Sequence, residues 1–104
     1  QVKVISEKTH VDNLLIAGNK VLCSAEAQVL LIQPSGKLKI LHTFYSQITS
    51  LAYNNESGDL AVALLDGRVV VCTLENFRIK NEFNEGSVTS LMYHNNYLIY
   101  TKGY

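Results

Sequence analysis

The sequence predicts an all-β chain built from antiparallel four-stranded units, and three observations carry that expectation. A seven-residue segment recurs along the chain, apolar runs of strand length alternate with turn-forming residues, and helical apolar periodicity is absent throughout.

The recurrence is the strongest of the three. Gln47-Ile48-Thr49-Ser50-Leu51-Ala52-Tyr53 returns 40 residues later as Ser87-Val88-Thr89-Ser90-Leu91-Met92-Tyr93, with Thr-Ser-Leu-x-Tyr identical. A weaker copy, Val11-Asp12-Asn13-Leu14-Leu15-Ile16, begins 37 residues before Ile48. A period of about 40–45 residues is the length of one four-stranded unit that must stack on its neighbours to cover its apolar faces.

The strands follow in order. Val2–Ser6 reads as the last strand of a preceding unit. Val11–Ile16, Lys20–Ala25, Gln28–Gln33 and Lys37–Phe44 then form four strands, joined by turns at Gly18-Asn19, Glu26-Ala27 and Pro34-Ser35-Gly36. In the next unit, Ile48–Tyr53 is followed by the polar turn Asn54-Asn55-Glu56-Ser57-Gly58-Asp59. Leu60-Ala61-Val62-Ala63-Leu64 sets large side chains on one face and alanines on the other, a pattern suited to a strand packed between two sheets. Asp66-Gly67 signals a hairpin, with Arg68–Leu74 as the return strand. Arg78–Phe83 alternates polar and apolar residues, and its charges suit an outer strand that must not pair with another molecule. Val88–Tyr93 and Tyr97–Thr101 begin a further unit. The chain is thereby divided into 1–8, 9–46, 47–86 and 87–104.

Composition narrows the class. Apolar residues make up 47% and charged residues 17%, the balance of a chain that buries a core. Nine basic residues offset nine acidic ones, so no global field favours nucleic acid. Cys23 and Cys72 sit inside apolar runs and read as buried thiols of a reducing compartment, which places the chain in the cytoplasm or nucleus. Asn55-Glu56-Ser57 matches a glycosylation acceptor, a triplet common by chance. No apolar run approaches a membrane span, no signal peptide opens the chain, and Gln1 suggests a piece of something longer.

The middle unit resembles the WD-repeat family of β-propellers. Ile48-x-x-Leu51-x-Tyr53, Leu60-Ala61-Val62-Ala63 and Asp66-Gly67-Arg68-Val69 are similar to that family's core pattern. Departures are visible too. Cys72-Thr73 stand where Trp-Asp is common, and Leu64 stands where serine is common. No Gly-His pair precedes Ile48 or Val88, and Asn84 occupies roughly the histidine position. Only the turn aspartate, Asp66, remains of the family's side-chain network, so packing must replace it. The resemblance implies four-stranded blades of a β-propeller, about two and a half of them in an incomplete ring. It implies a protein-binding scaffold or adaptor, completed by the rest of a longer chain or by another chain. A regulatory propeller domain of a larger enzyme is the alternative.

The residues supply no catalytic constellation. His10, His42 and His94 have no ligand spacing and read as surface imidazoles, and no cofactor is implied. Pro34-Ser35-Gly36-Lys37-Leu38 lacks the earlier glycine and following hydroxyl of a phosphate loop. Asp59 and Asp66 flank one strand as turn residues. Tyr53 and Tyr93 read as equivalent core positions of consecutive units, and Tyr97, Tyr100 and Tyr104 have no basic groove beside them, which disfavours single-strand nucleic-acid binding. Loops held by a rigid scaffold are the remaining candidate. One loop face should gather Leu65-Asp66-Gly67-Arg68 with Tyr45-Ser46-Gln47 and Asn84-Glu85-Gly86. Tyr45 and Arg68 are the candidate anchors, with Asp66 beside them and Asn84 and Glu85 as a polar rim. The alternative is that Tyr45 packs between units and Arg68 is only solvated.

Overall fold

The computed structural model describes residues 11–103. The expected strand Val2–Ser6, together with His10 and Tyr104, lies outside the described residues. Ten strands and no helix are present among the described residues. They are β1 (Asn13–Ala17), β2 (Lys20–Ala25), β3 (Gln28–Ile32), β4 (Leu38–Thr43), β5 (Ile48–Asn54), β6 (Asp59–Leu64), β7 (Arg68–Thr73), β8 (Ile79–Asn84), β9 (Val88–His94) and β10 (Tyr97–Lys102). Each begins and ends within two residues of its expected position.

The strands form three antiparallel meanders: a first sheet β1-β2-β3-β4, a second β5-β6-β7-β8 and a two-stranded third, β9-β10. The first strands of the sheets lie side by side, β5 between β1 and β9, while the outer strands β4 and β8 diverge. The sheets therefore fan out from a common inner edge.

The alternation in β6 explains the layering. Leu60, Val62 and Leu64 point into a core shared with Ala17, Leu22 and Val29 of the first sheet. Ala61 and Ala63 point the other way, into a core with Ala52, Val69, Val88 and Leu91 that joins the second sheet to the third. All six residues of β6 are buried. A strand covered on both faces needs apolar side chains on both, and here one face is large and the other small.

The recurring segment supplies polar links as well. Thr49 Oγ1 lies 3.2 Å from Ala63 O and 3.3 Å from Val88 O, so its one proton can serve either sheet. Its repeat partner Thr89 stands 3.2 Å from Thr101 O. Ser50 Oγ accepts the Leu91 N–H at 3.1 Å, and Asn54 Nδ2 donates to Asn96 Oδ1 at 2.7 Å. These bonds tie β5 to the third sheet at both ends.

One expectation is extended and one corrected. Asp59 flanks its strand as expected, at the first position of β6, but it is 8% exposed and its carboxylate takes Lys80 Nζ at 3.0 and 3.1 Å. His42 is not a free surface imidazole. Its ring stacks on Phe77 at 5.2 Å and meets Phe44 edge-on at 4.5 Å. Phe77 reaches it from the β7–β8 turn, where a positive φ of 55° turns its side chain back toward the first sheet.

Candidate functional site

The five sequence-derived candidates lie at one end of the sheets, where the β6–β7 hairpin meets the links entering β5 and β9. Backbone bonds fix that meeting. Leu65 N–H donates to Gln47 O at 2.8 Å, and Glu85 N–H donates to Gly67 O at 2.9 Å. Gly67 is required here. Its φ is +100°, and a Cβ would stand 2.9 Å from Asn84 Oδ1 and 3.2 Å from Gly86 Cα.

Asp66 organises the hairpin. Its Oδ1 accepts the Arg68 N–H at 3.1 Å, its Oδ2 takes Arg68 Nε at 2.9 Å, and its own N–H donates to Ser46 Oγ at 3.1 Å. Arg68 is therefore paired rather than only solvated. Its Nη1 reaches Glu82 Oε1 at 3.2 Å, and its Cζ lies 5.8 Å from the centre of the Tyr45 ring. Tyr45 is 95% exposed, so it does not pack between the sheets. A tyrosine left this open gains nothing from the core it leaves.

Asn84 and Glu85 sit close by but serve different partners. Asn84 Oδ1 accepts the Gly86 N–H at 3.1 Å and caps the link into β9. The Glu85 carboxylate turns toward the third sheet, where Lys102 Nζ stands 3.3 Å away. Hydrogen bonds from Tyr100 and Lys102 hold that carboxyl below the usual range, and the same contact raises the Tyr100 hydroxyl. The structure thus brings Tyr45, Asp66 and Arg68 together and leaves the Glu85 carboxylate to a separate pair. Sequence reasoning placed Ser46 in this loop face without giving it a role, and it missed Glu82, Tyr100 and Lys102 as members of the site. The β7–β8 pairing of Val70 with Glu82 could have indicated Glu82, because that register sets it beside Arg68.

A second polar cluster is buried near the opposite end. Cys72 is fully buried, and burial first, then the Asp59 carboxylate, push its thiol up to about 11. Burial likewise raises the Tyr93 hydroxyl to about 12, with Asp59 and Cys72 adding to it. A thiol held in its neutral form is a poor nucleophile, which fits a packing role where the family resemblance set a tryptophan. Among the described residues, no three histidine, cysteine or carboxylate side chains gather as a metal site.

No protein-family model matches the sequence, and no curated protein matches it. Solved structures do match. Sqt1 of Saccharomyces cerevisiae superposes with a TM-score of 0.75 at 21% identity, over 92% of this chain and 30% of its own. The β-propeller domain of Myceliophteria thermophila Cps50 (Swd1) gives 0.77 at 14% identity, over 99% and 36%. The Pan2 WD40 domain of Neurospora crassa gives 0.69 at 12% identity, over 88% and 29%. The chain spans about a third of the length of these proteins. Four-stranded antiparallel sheets fanning from an inner edge, a repeat of 40 residues and these superpositions agree: the chain has the fold of a segment of a WD40 β-propeller.

Proposed function

We propose that the chain is a non-enzymatic interaction scaffold or adaptor, part of a propeller in a larger intracellular complex, which holds protein partners at the loop end carrying Tyr45, Asp66, Arg68, Asn84 and Glu85. The observation that carries this reading is the Tyr45 ring, 95% exposed and set beside an ordered arginine on a hairpin with fixed backbone. Tyrosine and arginine on a rigid support are residue types enriched among the anchors of protein interfaces.

In this reading 9–46 and 47–86 are complete blades and 87–104 begin a third. The outer faces of the end sheets support it. Leu14, Cys23, Leu30 and Ile40 form one cross-strand row on the first sheet, and Ile16, Val21, Ile32 and Leu38 form the next. Cys23 and Leu30 are already buried, but Leu14 is 71%, Ile16 73% and Ile40 56% exposed, and Met92, Tyr97 and Ile99 are exposed on the third sheet. Apolar rows of this kind call for further blades, from the rest of a longer chain or from another chain. Two buried free thiols fit a reducing compartment.

The test is replacement of Tyr45 and Arg68 together by alanine in the natural polypeptide, followed by affinity capture from native extract. Loss of the partners retained by the unaltered protein is expected. Unchanged capture removes the proposal.

A further inference from the structure

The first and second sheets touch along their inner strands and part toward their outer ones, and at the end away from Tyr45 the gap between them is an open groove. Its outer part is a cavity of about 560 Å³ between strands β2 to β4 and the β7–β8 turn. Leu31, Leu41 and Leu74 give this part an apolar floor that continues into the core, with the Phe77 ring beside them. The inner part, about 430 Å³, is more polar and carries the hydroxyls of Tyr53 and Ser57. Lys20, Leu74 and Glu75 line both parts, so the groove runs unbroken from β4 to β5.

The walls are tied to each other before anything fills the groove. Phe77 of one wall stacks on His42 of the other, with ring centres 5.2 Å apart. A site with its walls already fixed loses little freedom on binding.

The charges of the groove are unspent. Arg68, Lys80 and Lys102 each have a carboxylate within 3.3 Å. Lys20 and Lys39, both exposed at the groove, form no ion pair with any described residue. Glu75 is the one acid among the residues of the outer cavity, so two cations face a single carboxylate that neither of them reaches. Ammonium groups without an internal partner, set above an apolar floor, suit a ligand that brings both carboxylates and an apolar side chain. The run of the groove across the sheets suits an extended chain rather than a compact anion, and the Tyr53 and Ser57 hydroxyls can donate to its carbonyls.

We propose that this groove binds an extended acidic peptide segment of a partner, with an apolar side chain over Leu31, Leu41 and Leu74 and carboxylates at Lys20 and Lys39. It is a second surface, at the opposite end of the sheets from Tyr45 and Arg68, and it stands or falls independently of the loop-end reading.

The experiment titrates the natural polypeptide with a fluorescein-labelled peptide of Glu-Leu-Glu-Gly repeats, and with two peptides of equal length in which Gln replaces Glu or Ala replaces Leu. The Glu-Leu peptide binds, more weakly as salt rises, and either replacement weakens binding several-fold. At moderate salt, Lys20→Gln and Lys39→Gln each weaken binding of the Glu-Leu peptide about two- to five-fold. Lys37→Gln makes the same charge change at an exposed lysine outside both cavities and leaves binding unchanged. Unlabelled Glu-Leu peptide displaces the probe, and inorganic phosphate at the same concentration does not. The proposal is overturned by absent binding, by equal binding of the Gln or Ala peptide, or by groove variants that act no more strongly than Lys37→Gln. Displacement by phosphate as readily as by peptide overturns it too, since the groove would then be a general anion site.

Discussion

Replacing Gly67 by alanine tests the junction on which the candidate site is built. The residue sits at φ +100°, where a Cβ costs about 1–3 kcal/mol in backbone strain. The new methyl also meets Asn84 Oδ1 at 2.9 Å, Gly86 Cα at 3.2 Å and Gly86 O at 3.3 Å. Asn84 can swing aside, but only by releasing the Gly86 N–H it accepts at 3.1 Å, a loss of about 1 kcal/mol. Gly86 itself is tethered, since its carbonyl accepts the Val88 N–H and the neighbouring Glu85 N–H is bonded to Gly67 O. The sum is about 2–4 kcal/mol. Gly58→Ala supplies the control. Its φ is +77°, yet the nearest atom to an added Cβ is Tyr53 Oη at 4.0 Å, so only the strain of about 1–2 kcal/mol applies. Urea unfolding followed by fluorescence should place the Gly67→Ala midpoint well below that of Gly58→Ala, with equal slopes. Coincident midpoints would refute the close approach between the hairpin and the link into β9.

Further outcomes follow from the packing. The raised Cys72 thiol means that the folded protein keeps a proton the unfolded chain has lost, so its contribution is full below about pH 9 and declines toward pH 11. That is a loss of about 3 kcal/mol; unfolding free energy measured across this range should flatten in Cys72→Ala, and an equal decline in both proteins would show the thiol is not the cause. The same burial predicts that Cys72 reacts with thiol reagents only on unfolding, and rapid labelling of the native protein would contradict its place in β7. Ala63→Leu forces a large side chain between the second and third sheets against Val88 and Leu91, and overpacking of about 1–3 kcal/mol should lower the melting temperature; a neutral effect would mean the sheets are not in close contact there. Lys80→Met leaves the Asp59 carboxylate, 12% exposed, without its cation and should destabilise by about 1–3 kcal/mol, with Asp59→Asn restoring part of the loss. A double variant no better than the single one would deny the pair.

Much of this architecture is legible in the sequence because its signals are local. A strand of alternating leucine or valine and alanine, an Asp-Gly turn and a segment repeated at a fixed interval each act within a few residues. Their product, four strands per unit with β6 covered on both faces, appears as read. The misses are contacts between residues far apart in sequence. His42 read as a surface imidazole because the ring that stacks on it, Phe77, lies more than 30 residues further along the chain. Asp59 read as one more turn acid because Lys80, its partner, lies two strands away. At the candidate site the hairpin residues were found from turn chemistry, and Glu82 was missed because its approach to Arg68 depends on β7–β8 register. The β7–β8 pairing also shifts between Val71 and Cys72, and no local pattern announces such a shift.

The unequal faces of β6 and its neighbours bear on how such a chain assembles. Repeats that share Thr-Ser-Leu-x-Tyr invite error, because β9 could settle where β5 belongs while the chain is collapsing. The one variable position of the shared stretch separates them. Ala52 is 3% exposed on the close-packed side of the second sheet, whereas its counterpart Met92 is 56% exposed. A chain misassembled by one whole repeat would drive Met92 into the volume of an alanine and leave Ala52 in the wider place that Met92 occupies. One methyl against a thioether thus marks near-identical strands as first and second in line, and the wrong order is rejected by bulk rather than by any recognition of sequence.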